Sequence, residues 1–309
     1  MTLLCHEVPG RYREKFILTS YRPPGISASQ SILSIFEWHN ETLNIWTHLL
    51  VSVFFARRLY QLSILFAQDE YYWPLLCVAF GLCCYPLLST IAHLFSSMNI
   101  EVRHFVFYMD YLGISIYSCS ISMGFLAYTA PEHVHTSSIV YIYTYTSVAL
   151  IIMSFLGCCL SRHYSDQNWG SILRLSALSI PFVFVSTFMF WWLIYNKSSP
   201  IDHHYMHLIC NPVVGLIFAL RLPERFVPVS FDLIGQSHQL FHVASFITSN
   251  FHFEAILKDC QMKQAEMTRR NVSHLTIQAF SMVLLADFII LYYFKSKLWP
   301  AIKKNVKER

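Results

Sequence analysis

The sequence predicts an all-α fold, a polytopic membrane helical bundle with its N-terminus in the cytoplasm, and three observations carry that prediction. Of the 309 residues, 55% are hydrophobic and only 13% charged, about half the charged share of a soluble chain, and the mean hydropathy is +0.42. Eight apolar stretches approach the ~20 residues that span a bilayer as a helix: 43–66, 72–95, 105–128, 139–160, 172–195, 206–220, 235–256 and 274–294. Lys and Arg are shared unevenly between alternate connections, 15 on the side of the N-terminus and 7 on the other. The positive-inside rule therefore places both termini in the cytoplasm. The exception is the connection after the seventh stretch, where Lys258, Lys263, Arg269 and Arg270 face outward.

In chain order, residues 1–42 hold Arg11, Arg13, Glu14 and Lys15 but no apolar core of signal-peptide type, so the first span is expected to direct insertion. Residues 27–36 begin with capping residues and then group Ile32, Leu33, Ile35 and Phe36, the pattern of a short interfacial helix or a packed cytoplasmic one. A polar cluster of Glu37, Glu41, Asn44 and His48 follows at the mouth of span one. A charge carried to mid-bilayer costs roughly 3 kcal/mol on insertion scales, so these groups need partners. They form either a structural polar cap against neighbouring helices or a contact to a ligand or metal. Arg57 and Arg58 sit towards the outer end of the span, where long side chains snorkel.

Span two carries Pro86, a site for a kink, and then Ser89 and His93 on one helical face. Span three opens with Asp110, an intramembrane acid that is a functional candidate by default and otherwise a structural hydrogen-bonding group. Spans four and five, the latter with Pro181, read as scaffold and lipid-facing surface. His133 and His135 before span four, and His203, His204 and His207 at the start of span six, read as exposed histidines in preference to a second metal site. Asn211-Pro212 loosens span six and favours a cavity there. Asp287 in span eight has no evident partner, and the tail from Lys295 is basic, suited to an anionic inner leaflet. Sequons at Asn196 and Asn271 lie in outward connections. Of nine cysteines, seven fall in apolar spans, which implies no disulfide framework. The net charge of +4 comes from loops and the C-terminus, and a nucleic-acid partner is not expected.

The chemistry concentrates in residues 231–242, FDLIGQSHQLFH, where His238 and His242 are four apart and share a helical face. Alone, such a pair reads equally as packed or hydrogen-bonded helix histidines. Topology adds to it: His93 is near the inner end of span two, Asp110 in the first turns of span three, and His238 and His242 in the first turns of span seven. All four lie at one depth. Three neutral imidazoles with one open position are the ligand set of a catalytic zinc site, so Zn2+ is the expected cofactor. Bound zinc lowers the pKa of its water to about 7, and Asp110 and Ser89 are placed to orient that water and relay its proton. His48, at the inner end of span one, is an alternative to one of the three ligands.

These residues resemble the progestin and adipoQ receptor (PAQR) family. The resemblance rests on Asn40-Glu41-Thr42 with Asn44-Ile45-Trp46-Thr47-His48, on Ser89 and His93 followed by Asp110-Tyr111, and on Phe231-Asp232 with Gly235 and Ser237-His238-Gln239-Leu240-Phe241-His242. It implies a seven-helix core with a cytoplasmic N-terminus and zinc near the cytoplasmic face, held by His93, His238 and His242, with Asp110 and Ser89 at the water. The chain then divides into a cytoplasmic segment 1–42, a zinc-binding membrane core 43–257, an outward loop and eighth helix 258–294, and a basic tail 295–309. The stretches HLFSSM at 93–98 and LPERF at 222–226, with the eighth span, look more like the membrane progestin receptor branch than the adiponectin branch.

Two functions follow from the resemblance. The first, and the one expected, is a plasma-membrane receptor whose steroid (progestin) ligand enters the bundle and shifts an equilibrium read at the inner face, by a G protein as partner. The alternative is a zinc-dependent lipid amidohydrolase acting on ceramide or another lipid, with Asp110 handling the proton. A zinc that only staples spans two and seven together is a third reading. No residue in the sequence identifies the steroid pocket.

Overall fold

Each apolar stretch becomes a helix. The computed structural model describes residues 2–164, 169–195, 201–227, 229–263 and 272–298. Asn196, Arg269, Arg270, Asn271 and the tail from 299 onward lie outside the described residues, as does the side chain of His203. In chain order the helices are α1 (Ala28–Leu33), α2 (Thr42–Phe66), α3 (Trp73–Phe95), α4 (Ile100–Gly124), α5 (Glu132–His135), α6 (Ile139–His163), α7 (Trp169–Tyr195), α8 (Ile201–Leu220), α9 (Ser237–Lys263) and α10 (Val272–Tyr293). The only β pairing among the described residues is one isolated bridge between Leu3 and Tyr21. All nine cysteines are free.

Among the described residues six helices, α2, α3, α4, α6, α7 and α10, are long and apolar enough to cross a membrane. The chain is an integral membrane protein. The apolar run of α8 is shorter, His204–Leu220. At 27 residues α9 has the length but not the composition, because it carries His242, Thr248, Ser249, His252 and Asp259, all buried. Such a helix is stable at bilayer depth only where other helices cover its polar groups. It packs on α8, α2 and α3. Residues of α2, α3, α4, α6, α7, α8 and α9 wall one interior cavity of about 420 Å³. By contrast, α10 packs outside this ring on α4, α6 and α3 and lines none of it. The architecture is thus a seven-helix core with an eighth long helix against its flank.

Small residues bring α3 and α4 together. A Cβ on Gly113 would stand 2.9 Å from the Tyr85 Cα, so the backbones approach as only glycine allows. The prolines Pro86, Pro181 and Pro212 all lie within continuous helices.

The N-terminal segment is tied to the core at one end of the bundle. The Arg22 guanidinium is buried and donates to the carbonyls of His93 (2.6 Å) and Leu94 (2.8 Å) and to Ser34 and Ser96. A cation there meets the unpaired carbonyls and negative dipole end of α3. Asp232, before α9, accepts from the Leu18 and Thr19 amides at 3.0 and 2.7 Å and from the Thr19 hydroxyl at 2.8 Å. As the spacing predicts, α1 opens with a capping box between Ser27 and Gln30; Leu33 at its end and Phe36 in the turn after it are exposed.

Because one carboxylate holds three donors of the N-terminal segment, Asp232→Ala is expected to loosen that segment by about 2 kcal/mol. Amide exchange at Leu18 and Thr19 should then accelerate by roughly 30-fold while exchange in α3 and α4 keeps its rate. Unchanged exchange at both amides would contradict this anchoring.

Candidate metal centre

The three histidines converge because two turns of capping chemistry hold the start of α9. Gly235 takes a left-handed conformation with φ of 86°, open to glycine at no steric cost, and its amide donates to Gln239 at 2.7 Å. The buried Glu224 carboxylate accepts from the Ser237 amide at 2.7 Å and from the Ser237 hydroxyl. A carboxylate at these free amides satisfies the helix N-terminus and its dipole. Gln236 donates to the Asn40 carbonyl at 2.8 Å, fastening α9 to the mouth of α2. His238 and His242 then fall in the first two turns, beside His93 in the last turn of α3.

His93, His238 and His242 offer one ring nitrogen each, all within 4.8 Å of one another. His93 and His242 are buried at 3% and 1% exposure. The hydrogen bonds at the far nitrogens set the tautomers. Glu41 Oε2 stands 2.7 Å from His93 Nδ1 and accepts from the Asn44 amide at 2.8 Å. Burial pushes the Glu41 carboxyl up, but His93, Asn44 and Arg22 outweigh it and hold it well below the usual carboxylate range. An ionised Glu41 must accept, so His93 carries its proton on Nδ1. Thr47 donates to carbonyls of its own helix and stands 3.1 Å from His242 Nδ1, so it accepts the Nδ1 proton of His242. Both rings therefore turn a bare Nε2 inward, and His93 Nε2 lies 3.1 Å from His238 Nε2. Converging imidazole lone pairs in a buried pocket are the donor set of a divalent metal such as zinc. The carboxylate–histidine contact is the support that metal-binding histidines use.

The other candidates lie around this centre. Ser89 and Asp110 line the same cavity. His48 stays outside the group of three: its ring stacks on His242 at a centroid distance of 3.5 Å, and neither of its nitrogens has a hydrogen-bond partner among the described residues. Of the polar cluster read from sequence as a cap on neighbouring helices or a contact to a ligand or metal, Glu41 reaches His93 itself and Asn44 donates to Glu41. Nothing in the spacing could reveal this, since Glu41 and His93 are 52 residues apart. Thr47 was likewise missed, although its place three residues from Asn44 on the same helix was the available signal.

Two expectations are corrected. His204 and His207 are buried, at 0% and 1% exposure, because α8 turns them towards α9 and not towards solvent; His133 is exposed as expected, and His135 is half-buried. Helix α7 is more than scaffold, since Leu178, Phe182 and Val185 form part of the cavity wall.

Residues 36–253 match the profile of HlyIII, described as haemolysin-III related. The chain belongs to this family. Among its relatives, this haemolysin-III related chain is 33% identical over 291 residues to membrane progestin receptor gamma-B of Danio rerio, covering 85% of the chain and 83% of the relative. It is 36% identical over 282 residues to membrane progestin receptor delta of Homo sapiens, covering 85% and 80%. With membrane progestin receptor gamma of Homo sapiens it shares 32% over 317 residues, covering 98% and 96%. The PAQR resemblance is thereby confirmed over most of the chain.

Removing the Glu41 charge while keeping its shape isolates this support. Glu41→Gln is expected to lower divalent-metal affinity 10- to 100-fold, measured by chelator competition on purified, monodisperse protein. Affinity equal to the parent chain's would contradict the assignment.

Proposed function

We propose that this chain is a plasma-membrane receptor for a steroid of the progestin class, with zinc held by His93, His238 and His242 at the inner end of its ligand cavity. The observation that carries the reading is the cavity itself. At about 420 Å³ it lies within the range of small-molecule sites, and apolar side chains such as Ile121, Leu178, Phe182 and Val214 share its walls with serine, histidine and charged groups. The names of the relatives supply the ligand class: each of the three is called a membrane progestin receptor.

The three imidazoles, two with their tautomer fixed from outside, suit zinc, which would supply a fixed positive charge and a Lewis-acid position. The residues of the chain do the rest. Glu41 and Thr47 hold ring orientation, and the Asp110 carboxyl with Ser89 presents a group that can accept or hold a proton beside it. Arg22 joins the backbone at His93 to the N-terminal segment, and Glu14, Lys15 and Ile17 of that segment line the cavity. A ligand that shifts the inner end of the cavity therefore acts on a surface that the charge distribution places in the cytoplasm. In this proposal that surface is what a G protein reads. Hydrolysis of a lipid amide is not favoured, since the relatives are named as receptors.

Purified protein in lipid nanodiscs is expected to bind radiolabelled progesterone saturably and to leave ceramide intact. Leu178→Trp, which adds bulk to the α7 wall of the cavity, should weaken binding at least tenfold, by a steric effect of the kind seen on overpacking. No saturable binding, or release of fatty acid from ceramide, would overturn the receptor reading.

A further inference from the structure

The cavity has a second polar end. Ten residues beyond His242, a rise of about 15 Å along α9, His252 lines it together with His207 and Asn211 of α8 and Tyr117 of α4. The hydrogen bonds here form two chains, and each leaves one group unspent.

In the first chain, the Thr129 hydroxyl donates to Asp259 Oδ2 at 2.6 Å, and the same oxygen stands 3.1 Å from His204 Nε2. A carboxylate accepts, so a neutral His204 carries its proton on Nε2 and its Nδ1 is an acceptor. His207 Nε2 lies 3.1 Å from that Nδ1 and must donate to it. His207 Nδ1 is left as a bare acceptor in a residue 1% exposed, with no partner among the described residues. In the second chain, the Asn211 amide donates to His252 Nε2 at 3.1 Å. His252 then holds its proton on Nδ1 and donates it to the Tyr117 hydroxyl oxygen at 2.7 Å. The Tyr117 O–H is thereby released to donate into the cavity. The His207 and His252 rings are 4.4 Å apart between centroids, so the two chains end side by side.

We propose that this end of the cavity is a hydroxyl-recognition site: the hydroxyl at the far end of an elongated apolar ligand donates to His207 Nδ1 and accepts from Tyr117. A hydroxyl group satisfies both. A ketone accepts only, and would leave the His207 acceptor buried and unpaired, which is costly. The proposal rests on the receptor reading, since it names the functional group of the steroid that the far end of the same cavity selects. It also accounts for the position of these histidines: His207 and His252 line the cavity and sit in hydrogen-bonded chains, whereas the three of the metal centre converge on one point.

The test is equilibrium binding to full-length protein in nanodiscs of three probes: progesterone, which has ketones at both ends, and its two counterparts in which one ketone, at carbon 3 or at carbon 20, is reduced to a hydroxyl. At least one hydroxysteroid is expected to bind about tenfold more tightly than the diketone. In His207→Phe the ratio should fall to about one, and in His207→Gln, which restores an acceptor oxygen, part of the preference should return. Size-exclusion behaviour confirms that each variant is folded. Equal affinities for all three steroids in the parent chain, or a preference that survives in His207→Phe, overturns the proposal while leaving the receptor reading in place. Failure of every probe to bind the parent chain overturns both.

Discussion

The contact on which the inner half of the molecule depends is the one between Glu41 and His93, 2.7 Å apart and both buried. A carboxylate taken out of water is tolerated only if charged or hydrogen-bonding partners surround it. Here His93, Asn44 and Arg22 do so. Meeting that requirement fixes much else. It joins the mouth of α2 to the end of α3, sets the His93 proton on Nδ1, and leaves Nε2 to face His238 and His242. Arg22 then closes the arrangement from the other side by taking the His93 carbonyl, which draws the N-terminal segment over the inner end of the bundle. Removing Glu41 would free His93 and leave the buried Asn44 side-chain amide without its acceptor.

The same logic explains why a helix as polar as α9 can stand in the bundle. Its inner turns carry the metal-centre histidines and its outer turns carry His252 and Asp259, and every one of these groups is met by a different neighbour: α2 and α3 at one end, α4 and α8 at the other. The cavity wall mixes apolar side chains such as Ile121 and Phe182 with serines such as Ser154 and Ser186. A space with polar groups at both ends suits a rigid, elongated lipid with oxygen at its extremities, and an open-chain lipid would lose more conformational freedom on entering it. Because α10 adds no residue to this lining, the seven inner helices carry the site and the eighth long helix only buttresses α4 and α6.

Much of this was legible in the sequence, for identifiable reasons. Apolar runs near 20 residues announce helices whatever their neighbours are, and all eight long helices formed where those runs lie. His238 and His242 were legible because helical periodicity places them together without any tertiary information, and His93 because an imidazole at the inner end of a span has few other uses. The hidden part lies in contacts made between helices. Glu41 looked like a polar cap because its partner sits on another span, and Asp232 had no visible reason to hold Leu18 and Thr19. His204 and His207 looked exposed because they start a helix next to a connection. Their i, i+3 spacing, with Asn211 one turn on and His252 and Asp259 two turns apart on α9, is a periodicity that marks one buried face, and it was the signal to follow.

We propose zinc at three histidine nitrogens inside the bundle, two of them oriented by Glu41 and Thr47. X-ray absorption at the zinc edge of the purified protein tests it most directly. About one zinc per chain with three imidazole nitrogens at about 2.0 Å and no sulfur ligand is expected, with a spectrum that changes in His238→Ala. Protein that is folded and free of zinc, or zinc bound through cysteine sulfur, would contradict it.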